Sequence, residues 1–145
     1  MTDLTLDTAQ TILAATLAYA AKHGLNPLGV VVLDARGAPK ALAAQDGTSL
    51  KRTDVAQAKA YGAVSMGMGS RSLTKRAKEH PHFITALGQT LGGAMIPVAG
   101  GVLIRGADGA LLGAVGVSGD TSDNDEAAAM AGIAAAGLKG DPGAD

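Results

Sequence analysis

The segment Gly113-Ala114-Val115-Gly116-Val117-Ser118-Gly119, closing on Asp125-Glu126 at the head of an alanine-rich stretch, constrains this chain more than any other. Leu111 to Val117 is apolar apart from two glycines and reads as a buried strand. A glycine inside a strand marks a close approach by another backbone or a ligand. The chain then turns through Ser118-Gly119-Asp120-Thr121 into Ser122-Asp123-Asn124-Asp125-Glu126. There, Ser122 with Asp125, or Asp123 with Glu126, has the spacing of a capping box. A glycine-relieved strand feeding a capped helix is a scaffold element whose loop can hold a polar group. The plainer reading is a strand–turn–helix corner and nothing more.

The remaining elements follow from periodicity and punctuation. Ala9, Ile12, Leu13, Thr16, Leu17 and Ala20 recur at helical spacing, so a helix is expected over 6–23, capped by Thr5 and stopped by Gly24. Leu28 to Asp34 reads as a central strand. Ala35-Arg36-Gly37 reads as a hairpin turn and Pro39 to Ala44 as the return strand, its proline at the tolerated first position. Asp46-Gly47 turns the chain, and Ser49 is the expected cap of a second helix over 50–64. On that helix Arg52, Ala56, Lys59 and Ala63 share one stripe. Two readings stay open: a solvated flank whose aliphatic stems cover the core, or an anion-facing stripe. Ser65 to Ser70 reads as an irregular, flexible segment, and Leu73 to Glu79 as a short basic helical turn. Ile96 to Ile104 and the strand from Leu111 form a second hairpin around Arg105-Gly106-Ala107-Asp108-Gly109. Asp125 to Ala136 is a third helix, apolar most of the way round and ended by Gly137. Hairpins separated by helices imply an antiparallel sheet covered by helices, an α+β fold. Residues 1–139 are expected to form one domain and 140–145 a disordered tail.

Composition removes whole classes of function. There is no cysteine, which excludes disulfides, thiolate catalysis and thiolate ligation of haem or zinc. One phenylalanine, two tyrosines and a formal charge of −1 provide no basic, aromatic face for nucleic acid. No apolar run reaches membrane length and Met1-Thr2-Asp3-Leu4 lacks a basic leader, so a cytoplasmic protein is expected. A core of Ala, Val, Leu and Gly buries little area per residue. Homo-oligomerisation through the alanine-rich helices or sheet edges is expected to hide more.

Taken in order, Asp34-x-x-Gly37, Asp46-Gly47, Pro97-x-x-Gly100-Gly101-Val102 and Gly113-x-Val115-Gly116-Val117-Ser118-Gly119 followed by Asp125-Glu126 resemble the GlcG/HbpS family of haem-binding proteins. The same module forms the C-terminal part of PduO-type proteins, and the resemblance spans nearly the whole chain. It implies a profilin-like sandwich with a five-stranded antiparallel sheet between helices. It implies a haem cofactor, and symmetric assemblies up to octamers with the haem pocket near subunit contacts. The frame that matches comprises Asp46-Gly47, Lys59, Gly100-Gly101 and Ser118-Gly119 with Asp125-Glu126. The chain departs at Gln45, where relatives often carry arginine or methionine, and at the glycine-rich 88–93 stretch.

The candidate chemistry is short. In His80-Pro81-His82, proline pushes His80 to extended geometry, so imidazoles at i and i+2 can point the same way. That suits haem iron or a non-haem metal; the alternative is two exposed loop histidines. His23 reads as a helix C-terminal cation. Arg52, Lys59, Gly100 and Gly101 complete the candidate cofactor-binding set. Asp120, Asp125 and Glu126, with Lys59, are candidate catalytic groups; helix capping is the other reading of the acids. Three functions are expected to compete. One is cytoplasmic haem binding for storage, scavenging or sensing. The second is a cofactor-independent lyase, hydratase or tautomerase acting on a small carboxylate. The third is a non-catalytic assembly module.

Overall fold

Val30, Val31, Val32 and Leu33 are all fully buried, although adjacent residues of a strand face opposite sides. Both faces of their sheet must therefore be covered. The computed structural model, which describes residues 3–145, supplies that cover. The elements are α1 (Leu6–Lys22), β1 (Gly29–Asp34), β2 (Pro39–Ala44), α2 (Arg52–Met66), α3 (Ser70–Glu79), α4 (Pro81–Thr90), β3 (Gly101–Arg105), β4 (Leu111–Ser118), α5 (Ser122–Ala135) and β5 (Lys139–Asp141). The five strands pair antiparallel in the order β2-β1-β4-β3-β5. Val30, Val32, Val115 and Val117 face α1 and α5, packing on Ile12 and Ile133. Val31, Leu33, Leu103 and Ala114 face α2 through Ala56, Ala60 and Ala63. The expected α+β sandwich is the fold observed.

Small residues set the layer spacing. Gly101 and Gly116 are register partners on adjacent strands. A Cβ on Gly116 would lie 1.8 Å from the Ala56 carbonyl oxygen, and one on Gly101 would lie 2.3 Å from that of Lys59. The backbone of α2 thus rests on the sheet where both side chains are missing. Gly132 plays the same part between α5 and α1, where a Cβ would meet the Thr16 hydroxyl and the Ile12 carbonyl.

Several boundaries differ from expectation. α2 starts at Arg52 with Lys51 at its N-cap and no side-chain cap, so Ser49 does not cap it. It continues through Met66 to Gly67 in the left-handed region, and α3 begins at Ser70, leaving three irregular residues where six were expected. The 88–90 part of the glycine-rich stretch belongs to α4. Thr121, one residue earlier than the expected caps, holds the head of α5 by accepting from the Asn124 N–H at 3.1 Å. The strand expected from Ile96 begins only at Gly101. A short strand, β5, reaches into the tail expected to be disordered. Lys139–Asp141 pairs with β3, which would otherwise be an open edge, and Pro142 accepts from the Arg71 N–H. The composition of Gly140-Asp141-Pro142-Gly143 reads as breakers, but three residues of backbone suffice to cover that edge.

One fully buried ion pair crosses between the layers. Lys59, 3% exposed, comes from α2; Asp125, 1% exposed, comes from α5 on the opposite face. The ammonium Nζ donates to the Val117 carbonyl at 2.9 Å and to Asp125 Oδ2 at 3.1 Å, while Asp125 Oδ1 accepts from the Asp120 N–H at 2.9 Å. Burial pushes the lysine down and the aspartate up, and each charge opposes the other's shift. Replacing Lys59→Met strands a buried carboxylate and should cost about 3–5 kcal/mol in urea unfolding. Adding Asp125→Asn to that variant should recover part of the loss. Equal stability of the single and double variants would show that the carboxylate left behind carries no penalty.

Asp34 organises the β1–β2 turn. Its Oδ1 accepts from the backbone N–H groups of Arg36 at 2.9 Å and Ala38 at 3.1 Å, and its Oδ2 faces the Arg36 guanidinium at 3.0 Å. Burial works to raise its pKa, but these hydrogen bonds hold it below the usual carboxylate range. A depressed folded-state pKa stabilises fully above the unfolded value of ~3.9 and is lost as pH falls through the lower folded value. Wild type should therefore lose more stability than Asp34→Asn between pH 5 and pH 3. Urea midpoints at the two pH values measure it, and parallel losses would remove Asp34 from the acid response.

Candidate functional site

The residues singled out from the sequence fall into separate places. Lys59, Asp125, Gly100 and Gly101 do converge, but inside the protein. A Cβ on Gly100 would lie 2.9 Å from Lys59 Nζ, so these glycines make room for the lysine. The Lys59 ammonium is spent on the core, which corrects both readings of the Arg52–Lys59 stripe as a surface feature. Arg52 remains exposed and donates to Ser118 Oγ at 3.1 Å. Gln45, the departure noted above, is structural: its side-chain oxygen accepts from the Leu28 N–H at 2.8 Å.

The acids are likewise engaged. The Asp120 carboxylate takes hydrogen bonds from the Asn124 side chain at 2.7 Å and from the Asn26 and Thr121 N–H groups at 2.8 Å each. These contacts, that from Asn124 foremost, lower its pKa, so it is an ionised acceptor at neutral pH rather than a proton donor. Glu126 accepts from Arg71, with Nε at 3.0 Å and Nη2 at 2.9 Å. Arg71 also holds Asp123 and Asp145, and Glu126 foremost, then Asp123 and Asp145, raises its pKa, keeping it protonated.

The histidines lie elsewhere. His80 sits between α3 and α4 with φ −136° and ψ 65°, away from helical geometry as the following proline requires. Pro81, however, opens α4, which puts His82 in a helix rather than in an extended segment. The i, i+2 alignment expected from the sequence is replaced by a helix–helix corner with both imidazoles exposed. Phe83, the chain's one phenylalanine, is 46% exposed beside them. Arg76 and Lys78 occupy the last turn of α3, and no side chain caps the first N–H groups of α4. Among the described elements α4 packs on α3 alone, through a small cluster of Leu73, Ile84 and Met95. Among the described residues no three His, Asp or Glu groups gather to hold a metal ion. A haem iron asks less of the protein, one or two axial ligands. His23 closes α1, its Nδ1 3.0 Å from the Tyr19 carbonyl and its ring stacked on Tyr19.

A feature the sequence reading missed is a cleft of about 580 Å³ beside α2, with Gln57, Ala58 and Tyr61 on one wall and Gly92, Gly93 and Ile96 on the other. Tyr61 follows Gln57 by one helical turn, the only signal available in the sequence; the second wall arrives from 31 or more positions downstream.

The likenesses to known proteins agree with this frame. The solved structure of a PduOC:heme complex superposes with a TM-score of 0.84 at 25% identity, covering 94% of this chain and 97% of that one. The crystal structure of HbpS gives 0.81 at 31% identity, over 92% and 90% of the two chains. A double mutant of HbpS from Streptomyces reticuli gives 0.80 at 32% identity, over 92% and 87%. No curated protein matches the sequence at a significant level. The model of the family described as haem degrading protein HbpS-like matches residues 4–134, the span that holds strands β1 to β4, all but the last residue of α5, Arg52–Ser118, Lys59–Asp125 and the histidine corner. This chain belongs to the HbpS-like family of haem degrading proteins.

Proposed function

We propose that this chain is a cytoplasmic haem-binding protein that stores, scavenges or senses haem, and that the α3–α4 corner is where it takes the porphyrin. The observation that carries the reading is family membership over nearly the full chain, with a haem complex among the structures it resembles. The corner fits the group chemically. A porphyrin brings an apolar macrocycle, an iron in need of an axial donor and two carboxylates. Phe83 offers exposed apolar surface, His80 and His82 offer imidazole nitrogens, and Arg76 and Lys78 offer cations for carboxylates. When bound, haem supplies the redox-active iron; the chain's own groups bind and orient it. A proton-transfer enzyme for small carboxylates has no observation in its favour, because Lys59, Asp125 and Glu126 are already paired.

Hemin titration tests the reading. A saturable Soret shift near one equivalent per subunit is expected. The double variant His80→Ala/His82→Ala should alter the shift and lower affinity by at least the roughly tenfold that even outer-shell partners of a metal carry. No saturable shift, or one indifferent to both substitutions, would overturn it.

The same reading includes a homo-oligomer. Leu42 and Leu50 are 52% and 88% exposed near the edge strand β2, and Phe83 is open at the corner. A neighbouring subunit would bury these groups and close the haem site from outside. Light scattering coupled to size exclusion should give a multiple of the subunit mass. Dilution to monomer should weaken hemin binding; a folded monomer with undiminished affinity would end this part of the proposal.

A further inference from the structure

The cleft beside α2 has no part in the haem reading. α4 separates it from the histidine corner: ten helical residues, roughly 15 Å at ~1.5 Å per residue, lie between Pro81 and the Gly92-Gly93 wall. Its volume of about 580 Å³ lies within the range of small-ligand sites. Four features define what it can accept.

One wall is aromatic and fixed. Gly37, with φ +86°, stands where a Cβ would lie 2.7 Å from the Tyr61 ring, so the ring lies against the β1–β2 turn and is anchored on the Val31–Leu33 side of the core. The opposite wall is low and smooth, since Gly92 and Gly93 carry no side chains. Ile96 and Val55 make the remaining lining mostly apolar. Together they form a slot for a flat ring.

Two polar groups face it from α2. Gln57 and Tyr61 lie one turn apart, and both are half-buried. Neither the Gln57 amide nor the Tyr61 hydroxyl hydrogen-bonds to another group among the described residues, and no buried side-chain polar atom lacks a partner, so both are open to the cleft. An amide offers a donor and an acceptor side by side, which complements an edge with the same pair reversed. The rim carries no net charge: Lys51 and Asp54 pair with each other at 3.1 Å.

We propose that this cleft is a second binding site, for an uncharged flat heteroaromatic ring with an amide or imide edge, of the flavin type. The ring lies along Tyr61 and its edge pairs with the Gln57 amide. Stacking on one fixed aromatic wall gives affinity, and the amide gives orientation.

Riboflavin titrated into the full chain, followed by its own fluorescence, tests the assignment. Saturable quenching is expected. Gln57→Leu should weaken it about tenfold, equivalent to ~1.4 kcal/mol. Ala94→Trp, at an exposed position on the cleft wall, should abolish it by filling the slot without touching the core. Circular dichroism of both variants confirms that they are folded. His80→Ala/His82→Ala should leave riboflavin binding unchanged, and hemin binding should survive Ala94→Trp, so the two sites stand or fall separately. Quenching that does not saturate, or that ignores both cleft substitutions, would overturn the proposal. Equal affinity for 3-methylriboflavin, the same ring with its imide N–H blocked, would overturn the role given to Gln57.

Discussion

The buried pair of Lys59 and Asp125 joins the helical layers on the two faces of the sheet. Taking both charges out of water costs several kcal/mol per ion, and attraction between them recovers it only when the remaining hydrogen-bonding capacity is met. Here the Val117 carbonyl takes one ammonium proton and the Asp120 N–H serves the second carboxylate oxygen. An apolar pair of similar volume would often match such a bridge in stability. What apolar side chains cannot do is fix position as narrowly. The bridge sets the rotation of α2 on the sheet, the course of the 118–121 loop and the start of α5 with a single contact.

That contact depends on missing side chains. The Lys59 ammonium reaches the end of β4 through space that a side chain at Gly100 would fill, and α2 lies close enough because Gly101 and Gly116 have no Cβ. Alanines on α2 and α5 serve the same end. The core is consequently thin and closely packed, with no large aromatic group inside and no unpaired buried polar side-chain atom among the described residues. A frame of this kind has little interior to offer a ligand. Binding must use the places where the layers end, which is where the histidine corner and the Tyr61 cleft are found.

The sequence was legible where local chemistry decides the outcome. Thr5 caps α1 as its position implies, Gly24 and Gly137 end their helices in the left-handed region, and the burial of β1 on both faces follows from its β-branched run. Motif order led to the right family because glycines at fixed places report close backbone approach. At Gly100 and Gly101 the group that comes close is Lys59. Lys59 itself read as a surface cation because its partner lies 66 positions away, and no local pattern links the two. The fifth strand escaped notice because its three residues are strand only by virtue of the edge they meet. His82 was misplaced by stopping the argument at Pro81, which restrains the residue before it yet also serves well as the first residue of a helix.

The histidine corner is attached to the frame at one end only. Ser70 Oγ accepts from the Gly101 N–H at 2.7 Å, Thr74 Oγ1 donates to the Pro97 carbonyl at 3.0 Å, and Arg71 grips α5 and the end of the chain. All three are in the first half of α3. Beyond Thr74 no residue of α3 is fully buried, and α4 is held by the small Leu73–Ile84–Met95 cluster. Segments with few buried apolar contacts open locally at lower free energy than the core. Groups meant to meet a large flat ligand or a neighbouring subunit gain from such a place, since closing on the partner need not disturb the sheet. The rigid half of α3 fixes where the corner is, and the loosely packed half leaves it free to adjust to what it binds.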